Sequence, residues 1–79
     1  MIHKEYRVTV QIPDPVWEAF EGDQQFEWDR SDACRGSLES GTNYYGDVFE
    51  WATFDDLTQA QDCERNLMDV VYKYAAKLL

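Results

Sequence analysis

From Asp55 to Leu79, apolar residues return every three or four positions: Leu57, Ala60, Cys63 (with Glu64 beside it), Leu67, Val70 or Val71, Tyr74 and Leu78. That spacing lays one apolar stripe along a helix. Asp55 is placed to cap it, with Phe54 just ahead. Asp55, Asp56 and Asp62 stand near its start and Lys73 and Lys77 near its end, which suits the helix dipole. A helix of this length dominates a chain of 79 residues. Whatever the remainder forms must cover that stripe.

The remainder begins with a strand. Tyr6, Val8, Val10 and Ile12 alternate with Glu5, Arg7, Thr9 and Gln11, the pattern of a half-buried strand. Pro13 ends it for want of a ladder donor. Asp14-Pro15 then reads as a helix start, with Asp14 as cap and Pro15 at the first helical position. Val16, Trp17 and Phe20 face inward, and Gly22 is the stop. In residues 23–32, Phe26 and Trp28 alternate with Glu27 and Asp29, which favours a short edge strand or a loop pinned by two aromatics over the third option, a helix running straight through Gly22. Residues 33–54 predict a β-hairpin with arms Cys34 to Glu39 and Tyr44 to Phe54. Its turn is Ser40-Gly41-Thr42-Asn43, and Gly46 marks a bulge.

The expected fold class is therefore α+β, one domain over residues 1–79. A small antiparallel sheet of three to four strands carries one short and one long helix in β-α-β-β-α order. At the level of fold it resembles a ferredoxin-like arrangement that stops before its final strand. Such a likeness carries no activity. The size is near the lower limit for an unstapled core. Twelve aromatic residues supply large buried areas in compensation.

Charge is segregated. Residues 14–64 hold fourteen acidic side chains against two basic ones, Arg30 and Arg35, in a chain of net charge −9. Nine of the twelve aromatics lie in the same stretch. Direct contact with nucleic-acid phosphates or an anionic membrane is disfavoured, since both need Lys and Arg. The complement of such a surface is the basic surface of a protein. No stretch has the length of a membrane helix and the N-terminus lacks a signal-peptide core, so a cytoplasmic location is expected. With only two cysteines, Cys34 and Cys63, free thiols are expected there. Cys63 reads as a small buried hydrophobe and Cys34 as an unreactive strand thiol beside Arg35.

Little points to catalysis. The one histidine, His3, is near the N-terminus, and Gly22, Gly36, Gly41 and Gly46 stand singly rather than as a phosphate loop. Glu27 to Asp32 has oxygen ligands, but Arg30 interrupts them and no glycine follows in register for a calcium loop. Neither a metal nor a cofactor is expected, nor an enzyme. The remaining candidate is a partner-binding surface of Glu18, Glu21, Asp23, Glu27, Asp29 and Asp32, with Asp47 and Glu50 from the hairpin. Tyr45, Phe49 and Trp51 are its aromatic anchors. In general character this resembles small acidic phage inhibitors, including anti-CRISPR proteins and other DNA mimics. That resemblance implies a non-enzymatic inhibitor occupying the basic groove of a nucleic-acid-binding complex. The alternative is a homodimeric or assembly module, because the Tyr44–Phe54 arm is apolar on both faces.

Overall fold

The computed structural model describes residues 4–35 and 38–79; His3, Gly36 and Ser37 lie outside them. The chain runs β1 (Tyr6–Ile12), α1 (Asp14–Phe20), α2 (Gln24–Ala33), β2 (Glu39–Thr42), β3 (Val48–Phe54) and α3 (Leu57–Ala76). The three strands lie in the order β1-β3-β2, and β3 is antiparallel to both neighbours. β1 and β2 are thus parallel, with β3 between them. This is the split arrangement of a ferredoxin-like sheet without its last strand. The α+β class and the general element order agree with the sequence expectation.

Alternation decides which side chains enter the core. Opposite pairs Val8–Ala52, Val10–Glu50 and Ile12–Val48 turn toward the helices. Arg7, Thr9 and Gln11 face Thr53, Trp51 and Phe49 on the open side. On the inner face, Val8 and Ala52 pack with Cys34, Ala60, Cys63 and Leu67. A second cluster joins Ile12, Val16, Phe26, Val48, Val71 and Tyr74. Within it the Phe26 and Tyr74 rings are 4.6 Å apart, and Phe20 stands edge-on to Tyr74 at 5.1 Å. All the buried residues of α3 belong to the stripe predicted for it. No helix among the described residues is long and apolar enough to cross a membrane.

Four local expectations are corrected. Residues 24–33 are a helix, not the favoured edge strand or loop, and it starts afresh after Gly22 rather than running through it. Asp23 starts it by accepting from the backbone N–H of Gln25 at 2.8 Å and Phe26 at 3.3 Å. Caps also shift by one residue. Pro13 occupies the cap of α1 with Asp14 in its first turn, and Asp56, not Asp55, caps α3 through Thr58 N–H at 2.9 Å.

The hairpin slides as well. Ser40, Gly41 and Thr42 are strand, and the turn is Asn43 to Asp47. Asn43 Oδ1 accepts from the N–H of Tyr45 at 2.9 Å and Asp47 at 3.0 Å, and Gly46 takes φ +86°, a turn glycine and not a bulge. Finally, Cys34 and Cys63 are not free thiols. They form a disulfide with Cα atoms 4.8 Å apart, joining the end of α2 to α3.

Candidate functional site

Because β3 is the central strand, its inward positions lie between β1 and β2 and under the helices. One of them is Glu50. Its residue is 1% exposed, flanked by Val10 on β1 and Ser40 on β2. A carboxylate there needs a charged partner, since an isolated buried charge is too costly. Arg30 of α2, itself 5% exposed, supplies it through Nη1 to Glu50 Oε2. Ser40 Oγ donates to the same oxygen at 2.6 Å.

Arg30 is aimed by three contacts, two from Phe26 of α2 and one from Trp17 of α1. Its Nε donates to the carbonyl of Phe26, one turn back, at 3.3 Å. Its guanidinium stands 4.3 Å from the Phe26 ring centroid and 5.3 Å from that of Trp17. Such stacking suits a planar, weakly hydrated cation. The second oxygen of Glu50, Oε1, has no hydrogen-bond partner, alone in this among the buried side-chain nitrogens and oxygens of the described residues.

A groove of about 320 Å³ lies over this pair. α1 contributes Trp17 and, just past its end, Glu21; α2 contributes Glu27, Arg30 and Ser31; the strand side gives Leu38, Ser40 and Glu50. Three carboxylates and one guanidinium leave the lining net acidic. Glu18 is three residues before Glu21 and so a neighbour on the same side of the α1 surface. Glu18, Glu21 and Glu27 are exposed, and none enters an ion pair among the described residues.

The other sequence candidates go elsewhere. Asp23 is spent capping α2. Asp32, exposed, lies by a second groove with Asp62 and Arg65. Asp47 is half-buried and accepts from Asn43 Nδ2 at 3.0 Å in the turn. Tyr45 stands at the hairpin tip, 84% exposed, edge-on to Tyr44. Phe49 and Trp51 are half-buried on the open sheet face, opposite the helices. There Trp51 Nε1 donates to Glu39 at 2.7 Å and Arg7 stacks 5.2 Å from the ring. The groove acids Glu21 and Glu27 and the open-face aromatics Phe49 and Trp51 therefore lie on opposite sides of the sheet. Both-faced apolarity in the Tyr44–Phe54 arm follows from the central place of β3. Trp17, Arg30 and Ser40 belong to the groove although charge density alone does not point to them. The one available signal is Arg30, a basic side chain at helical spacing from Phe26 inside an acidic run.

Asp29 is turned inward instead. Tyr74 Oη donates to its Oδ2 at 2.7 Å, Gln25 Nε2 donates to Oδ1 at 2.8 Å, and Lys73 Nζ is 3.5 Å away. The Tyr74 bond, then the Gln25 bond, with the Lys73 charge behind them, hold the Asp29 carboxyl below its usual 3.8 against the opposing effect of burial. Burial first, then Asp29, pushes the Tyr74 hydroxyl up to about 12. The signs follow from proton linkage. For Asp29 the folded value is the lower, so its contribution is present above about pH 4 and is lost as pH falls through the folded value. For Tyr74 the folded value is the higher, so stability is intact below about pH 10 and is lost between there and about pH 12. Melting midpoints across pH should show both losses, and Tyr74→Phe should lack the alkaline one. Equal alkaline slopes in the two proteins would refute the assignment. No family model, no curated protein and no solved structure matches this chain.

Proposed function

We propose that this is a small acidic binding protein that docks the α1–α2 side on the basic surface of a partner protein. One observation carries the reading. Glu18, Glu21 and Glu27 are exposed carboxylates without ion pairs among the described residues; Glu21 and Glu27 line a groove walled by Trp17, and Glu18 lies three residues before Glu21. Exposed charges cost nothing to hold apart in water, but an unpaired row of one sign steers a complementary surface to it. Basic surfaces of this kind are what nucleic-acid-handling proteins present to phosphates. Occupying one excludes the nucleic acid, so the protein acts as an inhibitor by mimicry of the phosphate charge. The aromatic contribution comes from Trp17 at the groove rather than from Phe49 and Trp51, which face away.

The test is competitive. A nucleic-acid-binding partner isolated by cross-linking in cells should lose its nucleic acid when the protein is added, more readily at low salt. Each exposed pair is worth about 0–1 kcal/mol. Reversing three charges in E18K/E21K/E27K should therefore weaken the complex roughly tenfold or more. A complex that keeps its affinity in this variant at both low and high salt would refute acidic docking.

A further inference from the structure

The Arg30–Glu50 pair is built in an incomplete way. Glu50 offers two oxygens, and both donors that reach it, Arg30 Nη1 and Ser40 Oγ, converge on Oε2. Oε1 is buried and unpartnered among the described residues. An ionised carboxylate accepts at about four positions, and leaving one oxygen buried and unbonded is unfavourable. Such an atom calls for a donor. Glu50 is also one of the residues that line the groove, where Glu21 and Glu27 add two further carboxylates. Arg30 neutralises one of the three. The guest that fits is therefore a cation carrying N–H donors. The groove volume, about 320 Å³, stands at the small end of the ~300–1,000 Å³ typical of ligand sites. Trp17, which already stacks one guanidinium at 5.3 Å, gives the wall an aromatic face.

We infer that this groove is a receptor for a single arginine or lysine side chain, whose N–H donors bond the Glu50 carboxylate between the carboxylates of Glu21 and Glu27, the Glu50 side chain turning Oε1 toward the guest. The assignment rests on the docking reading for its source, a side chain projecting from the partner's basic surface. It adds the place where that surface is anchored. The outer acids give orientation and on-rate, while the buried carboxylate beneath gives a charge-assisted hydrogen bond.

The probe is Nα-acetyl-arginine methylamide, titrated into the isotope-labelled protein, with the neutral citrulline analogue as control. The arginine compound should saturate at millimolar concentration. It should shift the Trp17 indole N–H and the amides of Glu27, Ser31, Ser40 and Glu50, and the citrulline compound should not. Glu21→Gln with Glu27→Gln, both exposed and without an ion pair among the described residues, should weaken the response by about tenfold. Glu50→Gln should remove it, and if that variant fails to fold the surface pair still decides the matter. Equal binding of the citrulline compound, shifts confined to other regions, or an unchanged affinity in the surface pair would each overturn the inference. Agmatine separates the sources: if it binds and the capped arginine is shut out, the occupant is a free amine and not a partner's side chain. If the capped arginine fails to bind while E18K/E21K/E27K still loses the partner, this inference falls and the docking reading stands. If the capped arginine binds while the partner ignores the charge reversal, the docking reading falls and only the guanidinium site remains.

Discussion

Arg30→Leu is expected to destabilise the protein by about 3–5 kcal/mol, because it leaves Glu50 buried without its countercharge. That is a large share of the roughly 5–15 kcal/mol available to a small domain. Glu50 is 1% exposed. It projects inward from the central strand, with Val10 and Ser40 opposite it on either side. Only the Ser40 hydroxyl would remain as a donor. The pair as a whole is worth much less than either half. Its Coulombic gain is set against the desolvation of two ions, so a well-packed apolar replacement of both is often neutral or stabilising. R30L/E50L should accordingly recover most of what R30L loses. Urea unfolding of the wild type, the two single variants and the double variant gives the coupling directly. A double variant as unstable as R30L, or an R30L within about 1 kcal/mol of wild type, would show that the pair is not the buried charge couple described above. Retaining an ionic pair where Leu and Leu would serve stability is consistent with the groove needing a carboxylate at its base.

Breaking the Cys34–Cys63 bond is the second large effect. The two residues are separated by 29 positions, and closing a loop of that size removes about 3–4 kcal/mol of chain entropy from the unfolded state. At about 4–8 °C per kcal/mol for a domain of this size, reduction should lower the melting midpoint by on the order of 15–25 °C. The bond ties the end of α2 to the second turn of α3, so it also fixes the helix that carries Arg30 and Glu27. Wild type should respond steeply to a reductant. C34A/C63A should melt near the reduced wild type and ignore the reductant altogether. Finding two titratable thiols in denaturant before any reduction would dispose of the prediction. The small core, near the size at which domains need covalent staples, is the reason the effect is expected to be so large.

Elements differ in how far the chain announces them. β1 and α3 are legible because each signals by its own repeat: Val8, Val10 and Ile12 at a period of two, and Ala60, Cys63, Leu67, Val71 and Tyr74 at three and four. α2 is not, because its two buried positions hold Phe26 and Arg30. An arginine on the inward side erases the apolar stripe that would mark a helix, and Phe26-Glu27-Trp28-Asp29 then imitates a strand. Trp28 in fact points outward, about half exposed. The hairpin register was hidden for a similar reason. Gly41 looks like a turn residue, yet it is in β2 beneath the Trp51 ring, where an added Cβ would come within 2.9 Å of the indole. The turn is instead held by Asn43, whose side chain takes over two backbone donors.

Composition and local period, acting over at most four residues, determined the α+β class, the inward face of β1, the stripe of α3 and the acidic character of residues 14–64. They could not say which acids remain in water. Glu18, Glu21 and Glu27 remain there, Asp29 is bound to Tyr74 from 45 residues away, and Glu50 is buried against Arg30 from 20 residues away. The Cys34–Cys63 bond spans 29. Those pairings depend on how β3 enters between β1 and β2 and on where α2 lies across it, and a charge in a sequence carries no record of its depth. Tertiary structure alone therefore turned a general acidic middle into one groove with a buried carboxylate beneath it.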